Sequence, residues 1–408
     1  MLTKMNKRSG WKNLSFLLLS LGISYIGDFI YLVAININVY QLTGSAAAVA
    51  GLWVIGPLTN IITKVWTGSF IDYRSKRKVM MVTYIVRGVF IACIPFAPNM
   101  VLIYGVLVIL SIANAFYTPS SMTYVTILVP KKKRKRFNSI RSFATSGAFI
   151  IGPAIGGSLI LLTSVQATLW INSIFFFLAA ILLSLLPEKE EVHKEVPKLT
   201  LAQVMKDFTV VKSFIANNQY VSIIYFSYIV IMIFSFAMDA QEVVFTQQVI
   251  GLSEFEYSLL ISITGIGSVV GAILLSVFSN KIRLRIMIAT GIIMTTFGYV
   301  VYAFSWSFQS IVVGFVILGF FNVFINAGMM TFYQNNVPVE IMGRVTSIYQ
   351  LVQSAIQVLF ILMIGIVADV VSLRMTIVVL ALIMLLSTFI FAISVLKHKN
   401  NIYFQDNK

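Results

Sequence analysis

The sequence predicts an all-α integral membrane protein of twelve transmembrane helices in two six-helix halves. Three observations carry this. Of 408 residues, 59% are apolar and only 11% charged, against about 45–50% and about 25% in an average soluble domain. The apolar residues fall into twelve stretches, each at least the roughly 20 residues that a helix needs to cross a bilayer. The cations fall in alternate connections between those stretches.

The spans read as 14–40, 45–71, 78–97, 100–128, 138–163, 167–186, 219–249, 256–279, 285–305, 307–333, 344–370 and 373–396. Barrel strands would be about 9–11 residues, so the lengths argue for helices. The first stretch is too long for a signal-peptide core and has no A-x-A site, so it reads as a retained span. Twenty-six of the thirty Lys and Arg lie at 4–12, 74–78, 131–136, 189–212, 281–285, 344 and 397–408. The intervening loops near 41–45, 96–100, 163–167, 250–256 and 304–309 have none. The positive-inside rule then places both termini in the cytoplasm of a multi-pass cell-membrane protein. The run Lys131–Arg136 reads as a headgroup-facing loop, and no nucleic-acid partner is expected.

Several functions are excluded. So little charge cannot cover a soluble enzyme. One cysteine, Cys93, supports no disulfide framework. His193 and His398 lie in polar segments, so no metal site is expected. No G-x-x-x-x-G-K-[ST] run occurs, so ATP drive and a bound cofactor are not expected.

One break in composition divides the chain. Residues 187–218 hold five Lys, five acids and two Pro. This gives an N-terminal six-helix half at 1–186, a cytoplasmic linker at 187–218 and a C-terminal half at 219–408. Within the linker, Leu201, Val204, Phe208, Val211 and Ile215 follow helical spacing and predict an amphipathic helix. The halves repeat at an offset of 208 residues. Asp72 meets Asn280, Asn114 meets Asn322, Val129-Pro130 meets Val337-Pro338, Arg136 meets Arg344, Ser139 meets Ser347 and Gly157 meets Gly365. Such a duplication suits a rocking transporter.

Gly68-Ser-Phe-Ile-Asp72-Tyr-Arg74-Ser-Lys76-Arg77-Lys78 resembles the signature loop between the second and third helices of the major facilitator superfamily. Gly152-Pro153-Ala-Ile-Gly156-Gly157 resembles the helix 5 motif of its antiporter branch. Phe116-Tyr-Thr-Pro119, Leu128-Val129-Pro130 and the run from Val337 to Ser347 look like the drug-efflux group that includes macrolide and siderophore exporters. Tyr73 stands where the loop usually has a basic residue, and Ser75 where it has glycine. Ala148 stands where the antiporter motif usually has glycine. The fourth span carries no charge, although proton-coupled drug exporters often have an arginine there.

The loop also has a direct physical reading. Gly68 permits a close helix approach. Asp72 can accept hydrogen bonds from a helix N-terminus, where the dipole favours an anion. With Arg74, Lys76 and Arg77 it forms a candidate conformational latch, or simply a topogenic basic loop. Gly152, Pro153, Gly156 and Gly157 read as a kinked sealing helix or as plain close packing.

Charge inside a span costs at least roughly 2.5–3.5 kcal/mol. Asp28 lies about 21 Å beyond Leu14 at helical rise. Asp239 and Glu242 are i and i+3, neighbours on one face. These three are the proton-coupling candidates. Their plainer reading is structural pairing with Lys64, Arg87 or Arg141. Lys64 and Arg87 could snorkel outward, and Asp369 should pair with Arg374. Tyr25, Tyr31, Asn114, Tyr117, Met232, Asn322, Asn326, Gln350, Gln353 and Gln357 are expected to line the substrate cavity. Phe, Tyr and Met, at 32, 17 and 17 residues, suit adaptable binding of amphiphiles.

The expected function is proton-coupled export of hydrophobic or amphiphilic small molecules by a non-enzymatic secondary transporter. A monomer is expected, with substrate, protons and membrane lipid as partners. An importer or lysophospholipid flippase of the same fold, and a non-transporting sensor or scaffold, are the alternatives.

Overall fold

The computed structural model describes residues 2–43, 46–188 and 201–405. Among them eleven of the twelve expected spans each correspond to one long helix, and the seventh is interrupted. The first half contains α1 (Leu2–Thr43), α2 (Ala46–Asp72), α3 (Lys76–Cys93), α4 (Met100–Leu128), α5 (Lys131–Leu162) and α6 (Val165–Ser184). The linker forms α7 (Leu201–Asn217). The second half contains α8 (Gln219–Ala240), the short α9 (Glu242–Val244), α10 (Glu254–Phe278), α11 (Leu284–Phe304), α12 (Phe308–Asn336), α13 (Met342–Val370) and α14 (Leu373–Leu396). Among the described residues, ten helices are long and apolar enough to cross a membrane, α2 and α13 not being counted with them.

Local chemistry sets the helix starts. Asn99 Oδ1 accepts the Leu102 N–H at 3.1 Å, and Ser164 Oγ the Ala167 N–H at 3.0 Å. Ser253 and Glu256 form a reciprocal capping box before α10. Pro130 precedes α5, where a missing N–H costs nothing.

One expectation needs correction. The seventh span, read as 219–249, is not one continuous helix. It breaks at Gln241 and continues through α9 into a π-helical turn, Phe245–Ile250. Gly251 ends that turn at φ +84°, a conformation that glycine adopts without a Cβ clash.

The chain divides into two compact units. One comprises Met1–Pro130, Gly147–Ser213 and Val337–Leu351, and the other Lys131–Ser146, Phe214–Asn336 and Val352–Lys408. The units therefore differ from the halves read at 1–186 and 219–408. The two exchanged segments, 131–146 and 337–351, overlap under the 208-residue shift. In the first unit α1 packs on α6, α2 on α4, and α3 on both α4 and α6. In the second α8 packs on α14, α10 on α12, and α11 on both α12 and α14. These are the same four pairings under the sequence repeat.

Of the expected apolar face of the linker helix, the Leu201 and Val204 side chains lie outside the described residues and Phe208 is half-buried. Asp207, Val211 and Phe214 are buried, whereas Ile215 is 38% exposed. An ion pair of Asp207, described below, turns that face inward.

Candidate functional site

In the first unit the end of α2 is tied to the start of α13. Asp72 Oδ1 accepts the Gly343 N–H at 2.8 Å, and Oδ2 accepts the Arg344 N–H at 3.1 Å. Arg344 Nε donates to the same Oδ2 at 2.7 Å. The carboxylate thus meets both the free N–H groups of a helix start and a guanidinium. Gly68 makes room, because a Cβ there would lie 2.8 Å from Arg344 Cα. A Cβ at Gly343 would clash with Asp72 Oδ1. One turn along, Thr67 and Ser347 share a hydroxyl hydrogen bond of 2.9 Å. Arg344 Nη1 donates to Asp207 Oδ1 at 3.1 Å, which brings the linker helix to the same cluster.

The other expected latch residues do different things. Lys76 is buried, and its ammonium donates to the Asp72 carbonyl at 3.0 Å. Arg77 caps the end of α6 by donating to the Ser184 carbonyl at 3.1 Å and to the Leu186 carbonyl. It also pairs with Glu188 at 3.4 Å. Arg74 folds back onto the Phe70 ring at 3.8 Å and donates to the Phe70 carbonyl at 3.2 Å. Of the helix 5 motif, Gly152 packs tightly, since a Cβ would meet the Ile26 carbonyl oxygen at 3.2 Å and crowd Phe29 of α1. Gly156 sits at ordinary contact with Ile30, and Gly157 faces open space.

Deeper in the first unit, Asp28 is ion-paired with Arg87. Arg87 does not snorkel outward. It is buried, and its guanidinium lies 4.3 Å from the Phe176 ring centroid. Tyr84 links Ser24 at 2.9 Å with Tyr117 at 2.7 Å. Beside these lies a cavity of about 190 Å³, lined by Tyr31, Asn60, Arg87, Ser111 and Asn114 among others. The Tyr31 hydroxyl and Asn60 Oδ1 are buried without a hydrogen-bond partner there. Tyr25 lies half-buried on α1.

In the second unit, Asp239 is the penultimate residue of α8 and Glu242 opens α9, on either side of the helix break. Asp239 accepts from the Tyr299 hydroxyl at 2.9 Å, and Glu242 from the Tyr257 hydroxyl at 3.1 Å. Among the described residues neither forms an ion pair. Asn322 and Asn326 are hydrogen-bonded to each other, and Tyr228 donates to Asn326 at 3.1 Å. Met232, Gln353 and Gln357 are half-buried in that unit. Gln350 lies in the first unit, its Oε1 buried and unpartnered. The Asp369 side chain, and so its expected pairing with Arg374, lies outside the described residues, as do Met1, Lys408 and residues 189–200 of the linker.

Sequence reasoning left Arg344, Asp207, Tyr84, Asn60, Tyr257 and Tyr299 out of the candidate sites. Two had a signal. Arg344 is the repeat partner of Arg136, and Asp207 is the one acid of α7.

The family model described as Major Facilitator Superfamily matches residues 17–360. The chain belongs to that superfamily. It is a multi-pass membrane transporter, not an enzyme. Multidrug efflux pump Tap of Mycolicibacterium fortuitum is 24% identical over 382 residues, covering 88% of this chain and 90% of that one. An uncharacterized MFS-type transporter, YfiS of Bacillus subtilis, is 26% identical over 45% of this chain, and the match spans less than half, 44%, of that relative. Among solved structures, the human organic anion transporter MFSD10 has a TM-score of 0.75 at 13% identity, covering 94% of this chain and 99% of that one. A bacterial homologue of the iron transporter ferroportin has a TM-score of 0.74 at 14% identity, covering 94% and 98%. At these identities the two structures establish the fold.

Proposed function

We propose that this chain exports hydrophobic or amphiphilic small molecules in exchange for protons, by alternating access across a bacterial cytoplasmic membrane. The basic loops and both termini are assigned to the cytoplasm, an assignment that the distribution of cations supports. The observation that carries the reading is the pair Asp239 and Glu242 at the break in α8. Their hydrogen-bond partners are tyrosine hydroxyls, which leaves each carboxylate able to exchange a proton without breaking an ion pair. A helix interruption with a π turn is a common place for function. The similarity to a multidrug efflux pump over 88% of this chain supports export and a broad substrate class. Asp28 has a second role in this scheme, as the counter-ion that keeps Arg87 inside the first unit.

The tie between Asp72 and the start of α13 serves as the latch. It is made in one state and broken in the other, so the carrier does not open to both sides at once. Efflux of a panel of lipophilic compounds from energised cells, with and without a protonophore, tests the function. Export should stop when the proton gradient is collapsed. Export that persists without the gradient, or energised uptake in place of efflux, would refute the proposal.

A further inference from the structure

We infer that Asp207 of the linker helix is a positioning residue of the latch, holding the Arg344 guanidinium against Asp72 so that the tie is complete only while α7 is docked. The inference rests on the latch reading above. It deepens that reading by making the linker helix a working part of the latch.

The guanidinium of Arg344 is spent in three directions. Nε reaches Asp72 at 2.7 Å, Nη1 reaches Asp207 at 3.1 Å, and Nη2 reaches the Glu340 carbonyl at 3.1 Å. The planar fork therefore sits between two carboxylates and is fixed in orientation by both. Asp72 and Asp207 side chains are 1% and 5% exposed, so neither charge is shared with bulk water. Gln203, one turn earlier on α7, donates to Asp207 Oδ1 at 3.1 Å and sets its rotamer. Removal of Asp207 would free Arg344 to leave the line it shares with Asp72.

The cost of burying Asp207 points the same way. A helix that merely covered the protein would place an apolar residue on its buried face, next to Val211 and Phe214. A buried ion pair is a poor source of stability, because desolvation offsets much of the attraction. What it supplies is dependence on the position of one specific partner. The other flank of the linker is anchored nearby. Glu188 pairs with Lys78 at 3.1 Å and with Arg77 at 3.4 Å. Hydrogen bonds from Ser75 and Lys78 hold its carboxyl below the ordinary glutamate value. The linker thus grips the first turn of α3 at residue 188 and the latch arginine at residue 207.

The test needs no substrate. Ser347 is buried beside Thr67 at the tie, so in a Cys93→Ser background Ser347→Cys reports its opening through the rate of N-ethylmaleimide labelling in membranes. Asp72→Asn should raise that rate. Asp207→Asn should raise it about tenfold or more, the effect of losing a charge-assisted hydrogen bond, and Asp207→Glu should return it toward wild type. The double variant Asp72→Asn/Asp207→Asn should label no faster than Asp72→Asn alone. Arg344→Lys keeps the charge but cannot bridge both carboxylates, and should label as fast as Asp207→Asn. If Asp72→Asn labels fast while Asp207→Asn or Arg344→Lys labels at the wild-type rate, the inference is wrong and the latch stands. Multiplying effects in the double variant would also overturn it. If Asp72→Asn leaves the rate unchanged, the latch reading itself fails.

Discussion

Asp28→Asn separates a structural ion pair from a proton carrier. Arg87 is 8% exposed, and its anionic partner is Asp28. Removing one member of a buried pair costs about 3–5 kcal/mol, because the other charge stays desolvated. Two features reduce that here. The Asp28 side chain is 37% exposed, and the Phe176 ring faces the guanidinium. A loss of about 2–3 kcal/mol is therefore expected. In detergent this should lower the melting temperature by about 2–4 °C on soluble-protein scaling for a chain of this length. Asp28→Asn/Arg87→Met removes both charges and should recover most of the loss. The recovered double variant then reports function without the stability defect. If Asp28 serves only as a counter-ion, it exports with unchanged dependence on the pH gradient. A single Asp28→Asn variant that melts with wild type would refute the argument, since Arg87 would then not need its partner.

Three further outcomes are expected. Asp239→Asn should lower substrate accumulation in proteoliposomes by about tenfold per unit of pH gradient if it carries one coupled proton, one unit being 1.36 kcal/mol; Glu242→Gln should chiefly change which compounds are handled. Gly68→Ala puts a methyl group 2.8 Å from Arg344 Cα and should cost about 1–3 kcal/mol by overpacking, whereas Gly157→Ala, which meets nothing within 4 Å, should melt as wild type. A cysteine placed in the 189–200 segment should resist an impermeant thiol reagent in intact cells and react once the membrane is opened; labelling from outside would reverse the topology.

What was legible in the sequence follows from what the bilayer demands. Helices that face lipid need long apolar runs, so the spans and their order could be read directly. Exposed Leu161, Leu162 and Val101 show why, since these side chains have no protein partner and need none in lipid. Side-chain partners were harder, because they join residues on different spans. Asp28 had three candidate cations, and only the packing of α1, α3 and α6 selects Arg87. The break at Gln241 left no proline or glycine to mark it. Hydrophobic spacing counts Asp207 of α7 as a surface residue, whereas its carboxylate is buried against Arg344. Arg344 stood in a quoted motif, but its contacts with Asp72 and Asp207 depend on tertiary structure.

The repeat shows how one scaffold supports two different ties. In the first unit the acceptor is Asp72, and the donors are the N–H groups and guanidinium at the start of α13. In the second unit the residue equivalent to Asp72 is Asn280, and the charge moves to the other side of the contact. There Lys135, at the start of α5, donates to the Ile282 carbonyl at 2.9 Å. Lys135 is the repeat equivalent of Gly343, and Ile282 of Arg74. Arg134 adds a contact to the Gln334 carbonyl at 2.6 Å, and Asn138 donates to Gln334 Oε1 at 2.8 Å. The acceptors named here are uncharged. A cation on a carbonyl keeps a single charge-assisted bond, whereas Asp72 meets an opposite charge and two aligned N–H groups at once. Neutralising Asp72 therefore changes the electrostatics of the whole first tie. The recruitment of Asp207 occurs on the side that kept the carboxylate, where a second anion can act through a shared arginine.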